Sequence, residues 1–184
     1  MHRYTLGALT VELVQGDITR SETAAIASAA NAMLVGGGGV DGAIHRAAGP
    51  ELLDALRVLK RDLPGGLLET GKAVLTPGFA LQAGWVIHCV GPIYEREGER
   101  APDLLRSCYR EALAICRRRE IDSISFPSIS TGVYGYPVDR AAPVALEAVR
   151  EAAGEPGCPR LCRFVLFDPP TLDAYRSAAD RVLA

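Results

Sequence analysis

Gly36 to Gly39 are four consecutive glycines, standing between a short apolar run, Ala25 to Ala29, and a helix-like stretch from about Val40 to Ala48. A backbone without Cβ atoms can approach another group closely, and a helix starting straight after it offers unpaired N–H groups to an anion. A second small-residue loop, Ser128-Ile-Ser-Thr-Gly-Val-Tyr-Gly-Tyr-Pro137, separates the strand-like Ser123 to Phe126 from a helix over Val138 to Ala152. A chain that passes from strand to helix through such loops builds an α/β fold, with ligands beyond the carboxyl ends of its strands.

The rest of the chain keeps this alternation. Thr10 to Gln15 alternates in β-formers and closes at the turn Gly16-Asp17. Gly49 and Pro50 punctuate the first helix and start a second at Glu51, with Leu52, Leu53, Leu56 and Leu59 on one face and Pro64-Gly65-Gly66 as its stop. Lys72 to Thr76 and Trp85 to Val90 read as strands joined by a turn at Pro77-Gly78. Leu104 to Arg119 is a striped helix with a basic end, Leu161 to Phe167 a strand, and Leu172 to Leu183 a closing helix. No repeat, low-complexity segment or linker interrupts the series.

The formal net charge is -2, and no like-charge block exceeds Arg117, Arg118 and Arg119. Extended phosphate contacts need a basic face, so nucleic-acid binding along a strand is not expected. Backbone amides can still hold a small phosphate ligand without lysine or arginine. Cys89, Cys108, Cys116, Cys158 and Cys162 form no C-x-x-C pair and lie mostly in apolar contexts, as free thiols of a reducing compartment would. His2, His45 and His88 are scattered, so no metal is expected. No signal-peptide core and no membrane-length apolar run appear, which places the expectation in the cytoplasm, away from membranes.

Gly37 to Gly42 also satisfies G-x-G-x-x-G, but several residues separate it from its strand, and Asp62, at ribose-binding distance, sits in a polar turn. The dinucleotide match is therefore accidental. Each loop taken alone has a plain structural alternative: a flexible linker with Asp41 as a helix N-cap, or a βα turn with Tyr134 and Tyr136 packed on it.

Together the loops carry more. Gly16-Asp17-Ile18-Thr19, Ala29-Ala30-Asn31, Gly36 to Gly49 and Ser128 to Pro137 resemble the macro domain family, in its MacroD-type branch, in the family's order and near its spacing. The resemblance spans essentially the whole chain, so residues 1–184 are expected to form one such domain. It implies a three-layer α/β/α fold with a central mixed, largely parallel sheet, and an ADP-ribose cleft across its top.

By the same resemblance, Asp17 accepts from the adenine amino group, with the Ile18 backbone beside it. Phe167 matches a position that packs on adenine, though a core role is the alternative, as a turn role is for Asp17. Ser130, Thr131, Gly132, Val133 and Tyr134 wrap the diphosphate, facing Gly38, Gly39 and Val40, with Ala30 lining the cleft. Asn31 and Asp41 address the distal ribose and are the catalytic pair. Asp41 orients or partly deprotonates a water, the α-phosphate assisting, and the attack falls at C1″ or at the acyl carbon. No cofactor is implied. Where many relatives read Asn-Ala-Ala-Asn, this chain reads Ser28-Ala29-Ala30-Asn31, so a hydroxyl replaces an amide.

The activity so implied is hydrolysis of ester-linked ADP-ribose, from Asp or Glu side chains of proteins and from O-acetyl-ADP-ribose. A module that binds ADP-ribose without cleaving it is the principal alternative. Hydrolysis of ADP-ribose 1″-phosphate and removal of ADP-ribose from nucleic-acid ends stand behind both.

Overall fold

In the computed structural model, which describes residues 1–184, seven strands form one sheet. They are β1 (His2–Leu6), β2 (Leu9–Gln15), β3 (Ala25–Ala30), β4 (Ala73–Pro77), β5 (Trp85–Val90), β6 (Ser123–Phe126) and β7 (Leu161–Leu166). Their order is β1-β2-β7-β6-β3-β5-β4. The five inner strands run parallel, and β1 and β4 close the two edges antiparallel.

Six α-helices cover the sheet: α1 (Gly39–Ala48), α2 (Pro50–Leu59), α3 (Tyr94–Glu97), α4 (Ala101–Arg118), α5 (Val138–Ala152) and α6 (Pro169–Val182). Strand alternation assigns the faces. Ala25 and Ala27 of β3 join Leu105, Tyr109, Leu146 and Tyr175 of α4, α5 and α6 in one core cluster. Ile26 and Ala30 join Ile44, Leu52 and Leu56 of α1 and α2 in the other. Three layers result, in which the small residues of β3 let helices close down on the middle of the sheet. Ser28 and His88 share the α1/α2 face by the same alternation, and both are buried.

The expected strands and long helices are present, with differences at their ends. β1 was not anticipated; its pattern alternates half-buried and exposed residues, and it is held by pairing with β2 and by Arg3, whose guanidinium meets Glu12 at 2.6 Å. Glu12 is buried and also takes Arg163 at 2.8 Å, so the two cations offset its desolvation. The helix α6 starts at Pro169 rather than Leu172, because Asp168 caps it by accepting from the Thr171 amide at 2.8 Å. The helix α4 likewise starts at Ala101, with Pro102 in its first turn. Four of the five cysteines are buried and Cys158 is half-buried. No helix is long and apolar enough to cross a membrane.

The turn between β4 and β5 sits at the amino-terminal edge of the inner strands, away from the glycine loops. A Cβ on Gly78 would lie 1.9 Å from the Ala83 carbonyl oxygen, a backbone atom that cannot swing aside. Gly78→Ala is expected to cost about 1–3 kcal/mol in urea denaturation and to leave the carboxyl-end loops, and any ligand they bind, undisturbed.

Candidate functional site

Parallel strands send their chain exits to one edge. In spatial order that edge carries Gly16-Asp17 after β2, Phe167 after β7, Pro127 to Pro137 after β6, Asn31 to Gly38 after β3, and Gly91 after β5. The sequence-predicted residues, far apart along the chain, are thereby drawn into one row.

At the β2–β7 end, the Gly16 amide bonds the Leu166 carbonyl at 2.9 Å, which sets Phe167 beside the Asp17 turn. Phe167 is 84% exposed, so the core alternative fails and its ring is available to stack. The Asp17 carboxylate accepts from the Thr19 amide at 2.9 Å and the Thr19 hydroxyl at 2.7 Å, capping a short 3-10 turn over Ile18–Arg20. Those two bonds hold its carboxyl below the usual Asp range. Both bonds fall on Oδ1 and leave Oδ2 without a protein donor, so the turn role does not preclude recognition of a ligand.

The middle loop is pinned from behind. The Tyr109 hydroxyl accepts from the Ile129 amide at 3.3 Å, and Tyr136 is buried, its ring tilted against that of Tyr94 at 4.6 Å between centroids. The Thr131 hydroxyl turns inward to the Ser128 carbonyl and hydroxyl, at 3.0 and 2.8 Å. It is therefore committed within the loop, whereas the buried Ser130 hydroxyl meets no protein partner. What the loop does offer is backbone: the amides of Ser130, Thr131, Gly132, Val133 and Tyr134 donate to no protein acceptor. Ser130 adopts φ +67°, and a Cβ on Gly91 would lie 2.2 Å from its hydroxyl oxygen, so a bare α-carbon behind the loop fixes its depth. Val133, at 95% exposure, is the loop's outer tip.

The glycine loop folds back on itself. The Asn31 amide group donates to the Gly36 carbonyl at 2.8 Å, while its Oδ1 is buried without a partner. Half of the Asn31 side chain thus serves the loop and half remains unspent. The helix α1 begins at Gly39, one residue earlier than expected, and its N-cap is Gly38, with no side-chain cap. Asp41 is not the N-cap: it sits in the first turn and its carboxylate turns inward. The leading amides of α1 are left to whatever lies in front of them.

Asp41 is buried, and its Oδ1 accepts from the Ser28 hydroxyl at 2.7 Å and lies 3.7 Å from His45 Nε2. Burial raises its pKa above the usual Asp value; the Ser28 hydrogen bond and the His45 charge pull the other way without reversing it. The Tyr134 phenol is pushed up first by burial and then by the Asp41 charge, which places the two loops within electrostatic reach of each other. Two neighbours of Asp41 were not singled out from sequence as contacts. His45 lies one helical turn on, a spacing that places it on the same face. Ser28 was noted as a departure, but nothing in a linear reading pointed its hydroxyl at Asp41. His88, behind His45, is held neutral by burial, its pKa lowered to about 3. No cluster of three or more His, Cys, Asp or Glu side chains is placed to hold a metal ion.

A row of free amides bracketing a gap, with a stacking ring at one end and a buried carboxylate at the other, suits a nucleoside diphosphate carrying a second sugar. Comparison with known proteins agrees. The Macro domain family model matches residues 27–145. A macro domain-containing protein of Streptomyces nogalater is 47% identical over 166 residues, covering 90% of each chain. An O-acetyl-ADP-ribose deacetylase of Salmonella typhimurium is 46% identical over 165 residues, 90% of this chain and 91% of its own. Among solved structures, the Oceanobacillus iheyensis macrodomain with ADP matches at a TM-score of 0.94 and 43% identity, over 98% of this chain and 95% of that one. A Trypanosoma brucei macrodomain in complex with ADP-ribose matches at 0.81 and 39%, over 92% and 68%.

The raised pKa of Asp41 has a consequence for stability. The folded chain holds that proton more tightly than the unfolded chain does. Stability therefore falls as pH rises from the ordinary Asp range through the raised value, and stays lower at neutral pH. Asp41→Asn keeps an acceptor for Ser28 and removes the charge, so its Tm at pH 7 is expected to exceed the wild-type Tm, with the gap closing in acid. Equal melting at pH 7 would mean that burial does not penalise this carboxylate.

Proposed function

The chain belongs to the macro domain family, and from that premise we propose that it binds ADP-ribose and hydrolyses ester-linked ADP-ribose. The observation that carries this is Asp41: a buried carboxylate, raised in pKa, placed in the first turn of α1 at the end of a cradle of free amides. A module that only binds would need the amides and not the carboxylate, whose burial it would have to tolerate for nothing.

Adenine stacks on Phe167 and donates its amino group to Asp17 beside the Ile18 backbone. The diphosphate lies between the amides of Ser130, Thr131, Gly132, Val133 and Tyr134 on one side and Gly38, Gly39 and Val40 on the other, with Ala30 under it. The distal ribose then falls between Asn31 and Asp41. Asn31 Oδ1, buried and unpartnered, finds in a ribose hydroxyl the donor that the protein does not supply.

Asp41 orients a water and takes up its proton as the oxygen attacks, at the acyl carbon or at C1″. The ester C–O bond breaks, the departing oxygen ends protonated, and each turnover consumes one water to give ADP-ribose and a carboxylic acid. A base whose pKa lies above that of a free Asp is the more effective in this step. The O-acetyl ester of ADP-ribose and mono-ADP-ribosylated Asp or Glu side chains of proteins present the same bond, so one site serves both.

The decisive comparison is wild type against Asp41→Ala, with O-acetyl-ADP-ribose and with a protein modified on Glu or Asp. Asp41→Ala is expected to lower kcat by about 100-fold or more while calorimetry still shows ADP-ribose binding. Undiminished turnover would remove Asp41 from the reaction, and binding without turnover in the wild type would make the protein a reader. Gly132→Trp places its Cβ where nothing lies within 4 Å, so Tm should hold while ADP-ribose affinity falls at least about tenfold by obstruction of the backbone; unchanged affinity would put the diphosphate elsewhere.

A further inference from the structure

The two oxygens of Asp41 are not equivalent. Oδ1 takes the Ser28 hydroxyl at 2.7 Å and is the oxygen nearest His45. Oδ2 meets no protein donor, yet it is not among the sealed polar atoms without partners. We propose that Ser28 is a positioning residue for hydrolysis: its hydroxyl anchors Oδ1, so that Oδ2 is the oxygen presented to the attacking water. The inference rests on the hydrolytic reading given above.

Ser28 is well placed for this. It lies inside β3, between the parallel neighbours β5 and β6, opposite His88 in the β5 register, and it is fully buried. Its hydroxyl has one bonded partner, Asp41. A carboxylate in the first turn of a helix can rotate about two side-chain bonds, and a donor fixed to a central strand selects one of those orientations. His45 cannot stand in for it, since 3.7 Å exceeds hydrogen-bond length and leaves at most a long-range electrostatic attraction. The Tyr134 phenol, from the loop after β6, also feels this carboxylate, while His88, on β5 beyond His45, turns its Nε2 to the Thr76 hydroxyl at 2.8 Å. Burial keeps Tyr134 protonated and His88 neutral. Ser28 and His45 are therefore the partners that oppose the desolvation of Asp41, and Ser28 alone is directional.

The test is a pH series of kcat and KM on O-acetyl-ADP-ribose for wild type, Ser28→Ala and Ser28→Cys, with ADP-ribose affinity measured by calorimetry. Ser28→Ala is expected to lower kcat about tenfold while Kd stays within about twofold, as loss of one hydrogen bond to a charged group implies. The acid limb of its profile moves to higher pH, because the charged form of Asp41 has lost a donor. Ser28→Cys, close in shape and a weak donor, follows Ala if the hydrogen bond matters. Cys matching wild type, or kcat and Kd worsening together, would reduce Ser28 to a space-filling residue and overturn the proposal. Carbon-13 titration of the Asp41 carboxyl asks the same question without turnover: Ser28→Ala raises its pKa if the tether holds, and an unmoved titration overturns it. Full activity in Asp41→Ala would instead sink the hydrolytic reading itself, whatever the Ser28 variants do.

Discussion

Parallel pairing of β2, β7, β6, β3 and β5 is the constraint on which the site depends. Parallel strands all send their exits to the same edge, and the helices that follow β3, β5, β6 and β7 pack on one face or the other. Asp17, Phe167, the 128–137 loop, Asn31 and Gly91 become neighbours through that pairing and through nothing local. The helices then divide, with α1 and α2 on one side and α4, α5 and α6 on the other. The glycine loop and the 128–137 loop consequently approach the sheet edge from their own sides and leave a gap between them.

What fills the edge is mostly backbone, and on the proposed reading this is how an acidic chain would hold a diphosphate. The hydroxyls of Ser130 and Thr131 look like phosphate ligands in a linear reading, but one is buried and the other closes onto Ser128. The Thr131 hydroxyl holds the loop's shape, and the amides are left free to donate. Gly91 belongs to the same device, since a side chain there would push against Ser130 and Ile129. A cradle of this kind needs no lysine or arginine, and the formal charge of -2 is no obstacle to it.

The alternation of strand and helix and the row of loops were legible because they rest on local patterns, periodicity and glycine placement, whereas Asp17, Asn31 and Asp41 were picked out only by the order of motifs in the family resemblance. β1 was not, because its half-buried pattern is weak alone and its stability comes from β2 and from the Glu12 ion pairs across the sheet. Asp41 resembled an N-cap because it follows glycines, yet Gly38 holds that position and Asp41 faces inward. The contact of Ser28 with Asp41 lies between a strand and the helix after it, so only the packing of α1 on β3 could bring it out.

On the proposed reading, the N-terminal turn of α1 would face two negative groups at once. Its leading amides would meet the diphosphate, and its partial positive charge also acts on the Asp41 carboxylate within its first turn. Burial opposes that carboxylate, as its raised pKa shows, and a bound diphosphate would oppose it further. The helix end and the Ser28 hydroxyl counter this, and they act in different ways. The helix end supplies a field, which lowers the energy of the charge in any orientation. Ser28 supplies a bond, which favours one orientation. On the hydrolytic reading proposed above, a base at this position would have to be both ionised and aimed; the helix would support the first and the strand beneath it the second.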